Sequence, residues 1–202
     1  MSNTLTSFYL IRHGETEWNV AKRVQGNSDS PLTENGLLQA RDLAKELKKI
    51  KFDLAFSSDL LRAKRTAEII TLEHELAVAT TDTLRERNFG KFEGKSNTAL
   101  KTLFELLDKM EENLRFSYSE GDMESDEEVV TRLITFLRET AIANPGKNIL
   151  TVSHGGVLRM LLIHTGYGTY KSIKHIANTA YIKLETDGSD IFVRETKGID
   201  IL

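Results

Sequence analysis

The chain of 202 residues contains no cysteine, only two prolines and a single tryptophan. Without cysteine there are no disulfides, thiolate nucleophiles or cysteine metal sites, and a reducing compartment is compatible with the composition. With so few prolines, and no low-complexity tract or internal repeat, nothing marks an interdomain linker, so one domain over residues 1–202 is expected. Long apolar runs are also missing: Val157 to Ile163 is interrupted by Arg159, well short of the roughly 20 residues a bilayer requires. The polar start, Met1 to Ser7, has no charged region followed by a long apolar stretch, and the cytoplasm is the expected location. Excess positive charge is absent as well. A formal net charge of -3 argues against nucleic acid or anionic lipid as partner, so any anionic substrate must be held by cations clustered locally.

What is present is the composition of an ordinary globular protein, 40% hydrophobic and 28% charged, with enough length to bury one substantial core. Ser7 to Ile11 reads as a buried strand. Leu37, Ala40, Leu43, Ala44 and Leu47 fall at helical spacing, with Thr33 as N-cap. Phe52 to Phe56 predicts a second strand and Asp59 to Thr71 a second helix. Val129 to Ala143 predicts another helix, broken at Asn144-Pro145-Gly146, and Asn148 to Val152 another buried strand. A further helix starts near Gly155, and Ala180 to Leu184 and Ile191 to Glu195 flank an Asp187-Gly188 turn. This alternation implies an α/β fold, a three-layer α/β/α sandwich around a mostly parallel sheet, with ligands outside the carboxyl ends of its strands. The acidic run Glu120 to Glu128 reads as a solvated loop and first helical turn.

Two strands lead directly into unusual tripeptides, Arg12-His13-Gly14 and His154-Gly155-Gly156. Imidazole has an ordinary pKa of about 6.5, so a neutral ring with a free nitrogen lone pair is a competent nucleophile. Two histidines at strand ends also suit a metal, but a site needs three or four ligands, and His74, His164 and His175 show no ligand spacing. Arg62 falls in the first turn of the helix after Ser57-Ser58, where amides and helix dipole favour an anion and a guanidinium matches phosphate oxygens in pairs. Glu86, in an aromatic and glycine-containing loop, is a candidate proton donor whose pKa burial would raise. Taken singly, each residue also fits a plainer role: a salt bridge, a hydrogen-bonded core histidine, an exposed glutamate.

Together the segments resemble the histidine phosphatase superfamily, which includes the cofactor-dependent phosphoglycerate mutases. The match opens with Leu10-Ile11-Arg12-His13-Gly14-Glu15-Thr16-Glu17-Trp18-Asn19. It continues in order through Gln25-Gly26, Asp29, Pro31-Leu32-Thr33, Gly36, Gln39-Ala40, Ser57-Ser58, Arg62 and Thr66-Ala67. Glu86, Phe89-Gly90, Glu93-Gly94, Glu124-Ser125, Val129, Arg132 and Val152-Ser153-His154-Gly155-Gly156 complete it. The resemblance implies a phosphoglycerate mutase-like fold. It also implies a phosphorylated nucleophile at His13, phosphoryl binding by Arg12, Arg62 and His154, and a proton donor at Glu86. Asn19, Gln25, Gly26 and Gly155 are implied to line the substrate pocket. No metal or other cofactor is implied for a phosphatase acting on a small phosphorylated metabolite, as monomer or homodimer. Under the mutase alternative, 2,3-bisphosphoglycerate would be required.

Mutases of this family resemble one another in a longer, arginine-rich insertion after the glutamate. Here Gly94 to Met123 is short and contains only Arg115, with Lys95, Lys101 and Lys109 scattered. Fewer cations near the site, and the run Arg85-Glu86-Arg87-Asn88-Phe89-Gly90-Lys91-Phe92-Glu93-Gly94, which resembles the phosphatase branch with Phe92 where tryptophan is frequent, make that branch the expected one. A short helical cap around 95–123 is expected, with Phe89, Phe92, Phe104, Leu107, Phe116 and Tyr118 as candidate apolar lining over the substrate. A non-catalytic phosphate-binding module is the alternative of another class. It is disfavoured because such modules typically lose a catalytic residue, and none is missing.

Overall fold

In the computed structural model, which describes residues 4–202, the first strand β1 (Thr6–Arg12) is buried on both faces of a sheet. The first three residues of the polar Met1–Ser7 segment lie outside the described residues. Side chains alternate across a strand, so Phe8 and Leu10 join one apolar cluster while Tyr9 and Ile11 join another. Coverage on both sides is why this strand reads as a continuous apolar run.

After β1 come α1 (Glu17–Val20), α2 (Glu34–Leu47), β2 (Leu54–Ser58), α3 (Leu61–Thr71), β3 (Val78–Thr81), α4 (Asn97–Leu107) and α5 (Glu112–Ser117). The chain ends with α6 (Asp126–Ala143), β4 (Asn148–Ser153), α7 (Gly155–His164), β5 (Ile173–Thr186) and β6 (Ile191–Ile201). The six strands lie in the order β3-β2-β4-β1-β5-β6. The first four of that order run parallel, and β5 and β6 add an antiparallel hairpin at one edge. Leu43, Ala44 and Leu47 of α2 and Ala63, Ala67 and Ile70 of α3 fill the core on the Tyr9 face. Val129, Leu133 and Leu137 of α6 and Val157, Leu158 and Leu161 of α7 fill it on the other. The layering is the three-layer α/β/α sandwich expected from the pattern.

This topology determines where a ligand can bind. The chain leaves β1 toward α2 on one face and leaves the neighbouring β4 into α7 on the other. A crevice therefore opens at their carboxyl ends.

Three local readings change. β2 starts two residues later than its apolar pattern suggests, because the Asp53 carboxylate accepts the Asn148 amide at 2.9 Å and Phe52 packs edge-on against Tyr9. The short edge strand β3 carries no pattern to announce it. The acidic run is not simply solvated: Asp126 is buried against Arg87 and Tyr170, Glu124 grips Arg132 with both oxygens, and Glu128 closes a capping box with Ser125. Buried carboxylates persist where they are paired and hydrogen-bonded.

Residues 94–123 carry α4 and α5 over a third apolar cluster formed by Val24, Leu100, Leu103, Leu107 and Met123. Phe89, Phe92, Phe104 and Tyr118 pack against that cluster, whereas Phe116 joins the core of the α6 face. No helix among the described residues is long and apolar enough to cross a membrane.

Candidate active site

The two strand ends meet. Arg12 lies opposite Ser153 in the parallel ladder, and the His13 amide donates to the Ser153 carbonyl at 3.1 Å. The turns that follow carry the His13 and His154 rings to a centroid separation of 5.2 Å. Both histidines are buried, at 3% and 0% exposure.

His13 Nδ1 lies 2.7 Å from the Gly14 carbonyl. A carbonyl only accepts, so Nδ1 carries the proton and Nε2 keeps its lone pair. Burial, reinforced by Arg62 and Arg12, holds this imidazole well below its ordinary pKa. The ring is therefore neutral at pH 7, the form that can attack phosphorus. His154 is pushed the same way, by burial first and then by Arg62 and His13. In the free protein it is a neutral hydrogen-bonding group rather than a cation.

Around His13 lies a cavity of about 640 Å³ whose lining includes Arg12, Asn19, Gln25, Gly26, Arg62, Glu86 and Gly155. His154 sits against His13 without being part of that lining. Each arginine is pinned from behind. Arg12 Nη1 donates to the Ile176 carbonyl, while Arg62 donates to the carbonyls of Gly26 and Ser28 and to Asp29. Arg12 Nε, Arg62 Nε and both ring nitrogens of His154 are buried with no partner among the described residues. Leaving such donors unpaired, which for the neutral His154 means the one ring nitrogen that carries its proton, costs about 1–3 kcal/mol each, so oxyanions that accept from them bind favourably.

One expectation is corrected here. The amide at the start of α3 is not available to an outside anion, because Leu61 N donates to Asp29 Oδ2 at 2.8 Å. Arg62 still offers its unpartnered Nε.

Glu86 lies across the cavity with its carboxylate accepting from the amides of Arg87 (2.9 Å) and Gly156 (3.0 Å). Only glycine permits this approach, since a Cβ at position 156 would lie 2.4 Å from Glu86 Oε1. Gly26, at φ +56°, makes room in the same way for Glu93.

A model of the histidine phosphatase superfamily (branch 1) matches residues 8–197. The chain belongs to the histidine phosphatase superfamily. Among histidine phosphatase relatives, a Bacillus subtilis protein named "Uncharacterized phosphatase PhoE" is 35% identical over 164 residues, covering 81% of this chain and 79% of that one. A Proteus mirabilis protein named "Probable phosphoglycerate mutase GpmB" is 39% identical over 161 residues, 76% of this chain and 72% of its own. The solved structure titled "Bacillus stearothermophilus YhfR" superposes with a TM-score of 0.83 at 29% identity, covering 98% of each chain.

Several residues for which the sequence suggested no specific role also shape this candidate site. The Asn178 amide donates to the His13 carbonyl at 3.1 Å and to Asn19 Oδ1 at 3.2 Å, beside Thr179 at φ +59°. An asparagine is depleted in strand interiors, which was the available signal. Glu93 accepts from the amides of Asn27, Ser28 and Phe89 and from the Ser28 hydroxyl. It thereby shapes the loop whose carbonyls hold Arg62. The count of nearby cations also changes: Arg23, Lys101, Arg159 and Lys174 line the same cavity, most of them from outside the 94–123 segment. A cation-poor surrounding is therefore no argument against a mutase.

Proposed function

We propose that the protein is a metal-independent phosphatase that hydrolyses small phosphomonoesters through a phosphohistidine on His13, working in the cytosol. The observation that carries this is the neutral His13 ring, its Nδ1 committed to Gly14 and its Nε2 free, beside donors on Arg12, Arg62 and His154 that have no protein partner.

In the first step Nε2 forms a bond to phosphorus as the bond to the leaving oxygen breaks, and Glu86 in its acid form gives that oxygen a proton. In the second, Glu86 takes a proton from water, the water oxygen attacks phosphorus, the N–P bond breaks and phosphate leaves. Phosphoryl transfer depends on alignment and on stabilising charge on the three equatorial oxygens. Two arginines and His154 supply that stabilisation. Among the described residues no three imidazole or carboxylate groups gather as metal ligands would.

A phosphoglycerate mutase using 2,3-bisphosphoglycerate is the second reading, favoured by the mutase-named relative and by the additional cavity cations. Hydrolysis is preferred because Arg23, Lys101 and Lys174 are exposed residues of the lining, leaving a phosphoenzyme open to water, whereas a mutase must protect it. The test compares phosphate release with 3-phosphoglycerate isomerisation, both in excess chelator. Release should dominate and survive the chelator. Isomerisation outpacing release would select the mutase, and binding of phosphate without turnover of p-nitrophenyl phosphate between pH 5 and 8 would select a binding module.

A further inference from the structure

The first half of β5 behaves as part of the cavity wall rather than as regular sheet. Its ladder with β6 breaks register between Ile173 and His175 and again between Ile176 and Tyr181. Such irregularities re-aim side chains and concentrate near active sites. The segment is also held from the cavity side: Arg159 Nη1 donates to the Ile173 carbonyl at 2.7 Å and Arg12 Nη1 to the Ile176 carbonyl. Between these two anchors stand Lys174 and His175, both exposed and both lining the cavity that contains His13. Neither side chain has a hydrogen bond or ion pair with any described residue.

Their surroundings are basic. Arg23 and Arg159 contribute to the same lining. Besides Glu86, whose carboxylate accepts from two backbone amides, two acids line the cavity: Asp108 pairs with Arg115, and Glu105 lies 3.8 Å from Lys101, itself a lining residue. A pair of uncommitted cationic or donor side chains, backed by two guanidiniums and facing a site already built for one anion, fits a ligand with a second anion.

We propose that Lys174 and His175 form a second anion subsite, so that the preferred substrate is a phosphomonoester carrying a further acidic group, a carboxylate or another phosphate. This rests on the phosphatase reading for the reaction, but its recognition element is separate from the His13 chemistry. The reacting phosphate sits on Arg12, Arg62 and His13. The distal anion lies along β5, so Lys174 and His175 discriminate between substrates without touching the reacting atoms.

The test uses matched ligands that differ only in the distal group. 6-Phosphogluconate is paired with sorbitol 6-phosphate, 3-phosphoglycerate with glycerol 3-phosphate, and fructose 1,6-bisphosphate with fructose 6-phosphate. Dissociation constants are measured by calorimetry on the full chain carrying His13→Ala, and kcat/KM on the parent chain. At least one acidic member should be favoured roughly tenfold or more over its partner in both measurements, equivalent to about 1.4 kcal/mol. That ratio should collapse toward one when Lys174→Met and His175→Gln are combined, and should persist in Lys171→Met, a neighbouring exposed lysine outside the cavity lining. The first two pairs report a carboxylate and the third a phosphate. No preference in any pair, no binding of any ligand, or a preference that survives the double substitution would overturn the subsite. Failure of the phosphatase reading would look different: the parent chain would turn over none of the six ligands, while the binding ratios would still report on the subsite.

Discussion

In the Gly156→Ala protein, the added methyl would lie 2.4 Å from Glu86 Oε1, 3.1 Å from its Cδ and 3.3 Å from Oε2. No real contact is that short, and the nearest group is the end of a flexible side chain, so the carboxyl group moves and the backbone stays. Movement breaks the 3.0 Å bond from the Gly156 amide. Folding should tolerate the change: position 156 is in the first turn of α7, where alanine replaces glycine with a gain of about 0.5–1 kcal/mol. Catalysis should not tolerate it, because a positioned general acid is worth about 10²–10⁴-fold. The assay is kcat for a series of phosphomonoesters of rising leaving-group pKa, alongside a thermal melt. The melt should hold or rise. The rate on alkyl phosphates should fall about a hundredfold or more, and on p-nitrophenyl phosphate, whose leaving group needs little protonation, only a few-fold. Equal slowing across the series, or full activity on alkyl esters, would refute the placement of Glu86 as the proton donor.

Glu93→Ala should raise the dissociation constant for inorganic phosphate about tenfold or more, because the loop amides and the Ser28 hydroxyl lose their acceptor and Arg62 loses the fixed carbonyls behind it. Unchanged binding in a well-folded variant would remove Glu93 from the site's supporting structure. Acid stability follows from the histidines. His13 and His154 are held well below the value near 6.5 of an unfolded imidazole, so below that pH the unfolded chain takes up protons that the native chain refuses. Their contribution is intact above about pH 6.5. It declines as pH falls further, by up to about 1.4 kcal/mol per pH unit for each ring until its native value is reached. Thermal melts from pH 7.5 to 5.5 should drop steeply, and less so in a His13→Asn/His154→Gln double variant, in which His74, also lowered by burial, still titrates. Identical slopes would contradict a neutral histidine pair.

How much of this was legible in the sequence depended on what each residue faces. β1 and β4 are buried on both sides, so their apolar runs announced them and placed Arg12, His13 and His154 at strand ends. β3 has four residues at a sheet edge with half-exposed and exposed side chains, and no pattern marks it. The first half of β5 sends Ile173 and Ile176 into the core but borders the cavity with Lys174 and His175, so these polar residues and Asn178 break the alternation and the strand reads as starting at Ala180. Arg62 was placed correctly on its helix, but the capture of that helix's first amide by Asp29 joins residues 32 apart in sequence. Glu93 acts on Asn27 and Ser28 from 66 and 65 residues away, through backbone groups that carry no sequence signal. Side chains that perform chemistry are named by type and position, whereas those that aim them are chosen by three-dimensional proximity.

The most direct measurement is trapping of the phosphoenzyme from a labelled substrate in excess chelator, with the reaction quenched in alkaline detergent. One phosphoryl group per chain, stable in alkali, lost in acid and mapped to His13, is the expected result, with no label in the His13→Ala protein. Label retained after that substitution, or turnover with no histidine-bound phosphate at any quench time, would contradict nucleophilic attack by the His13 ring.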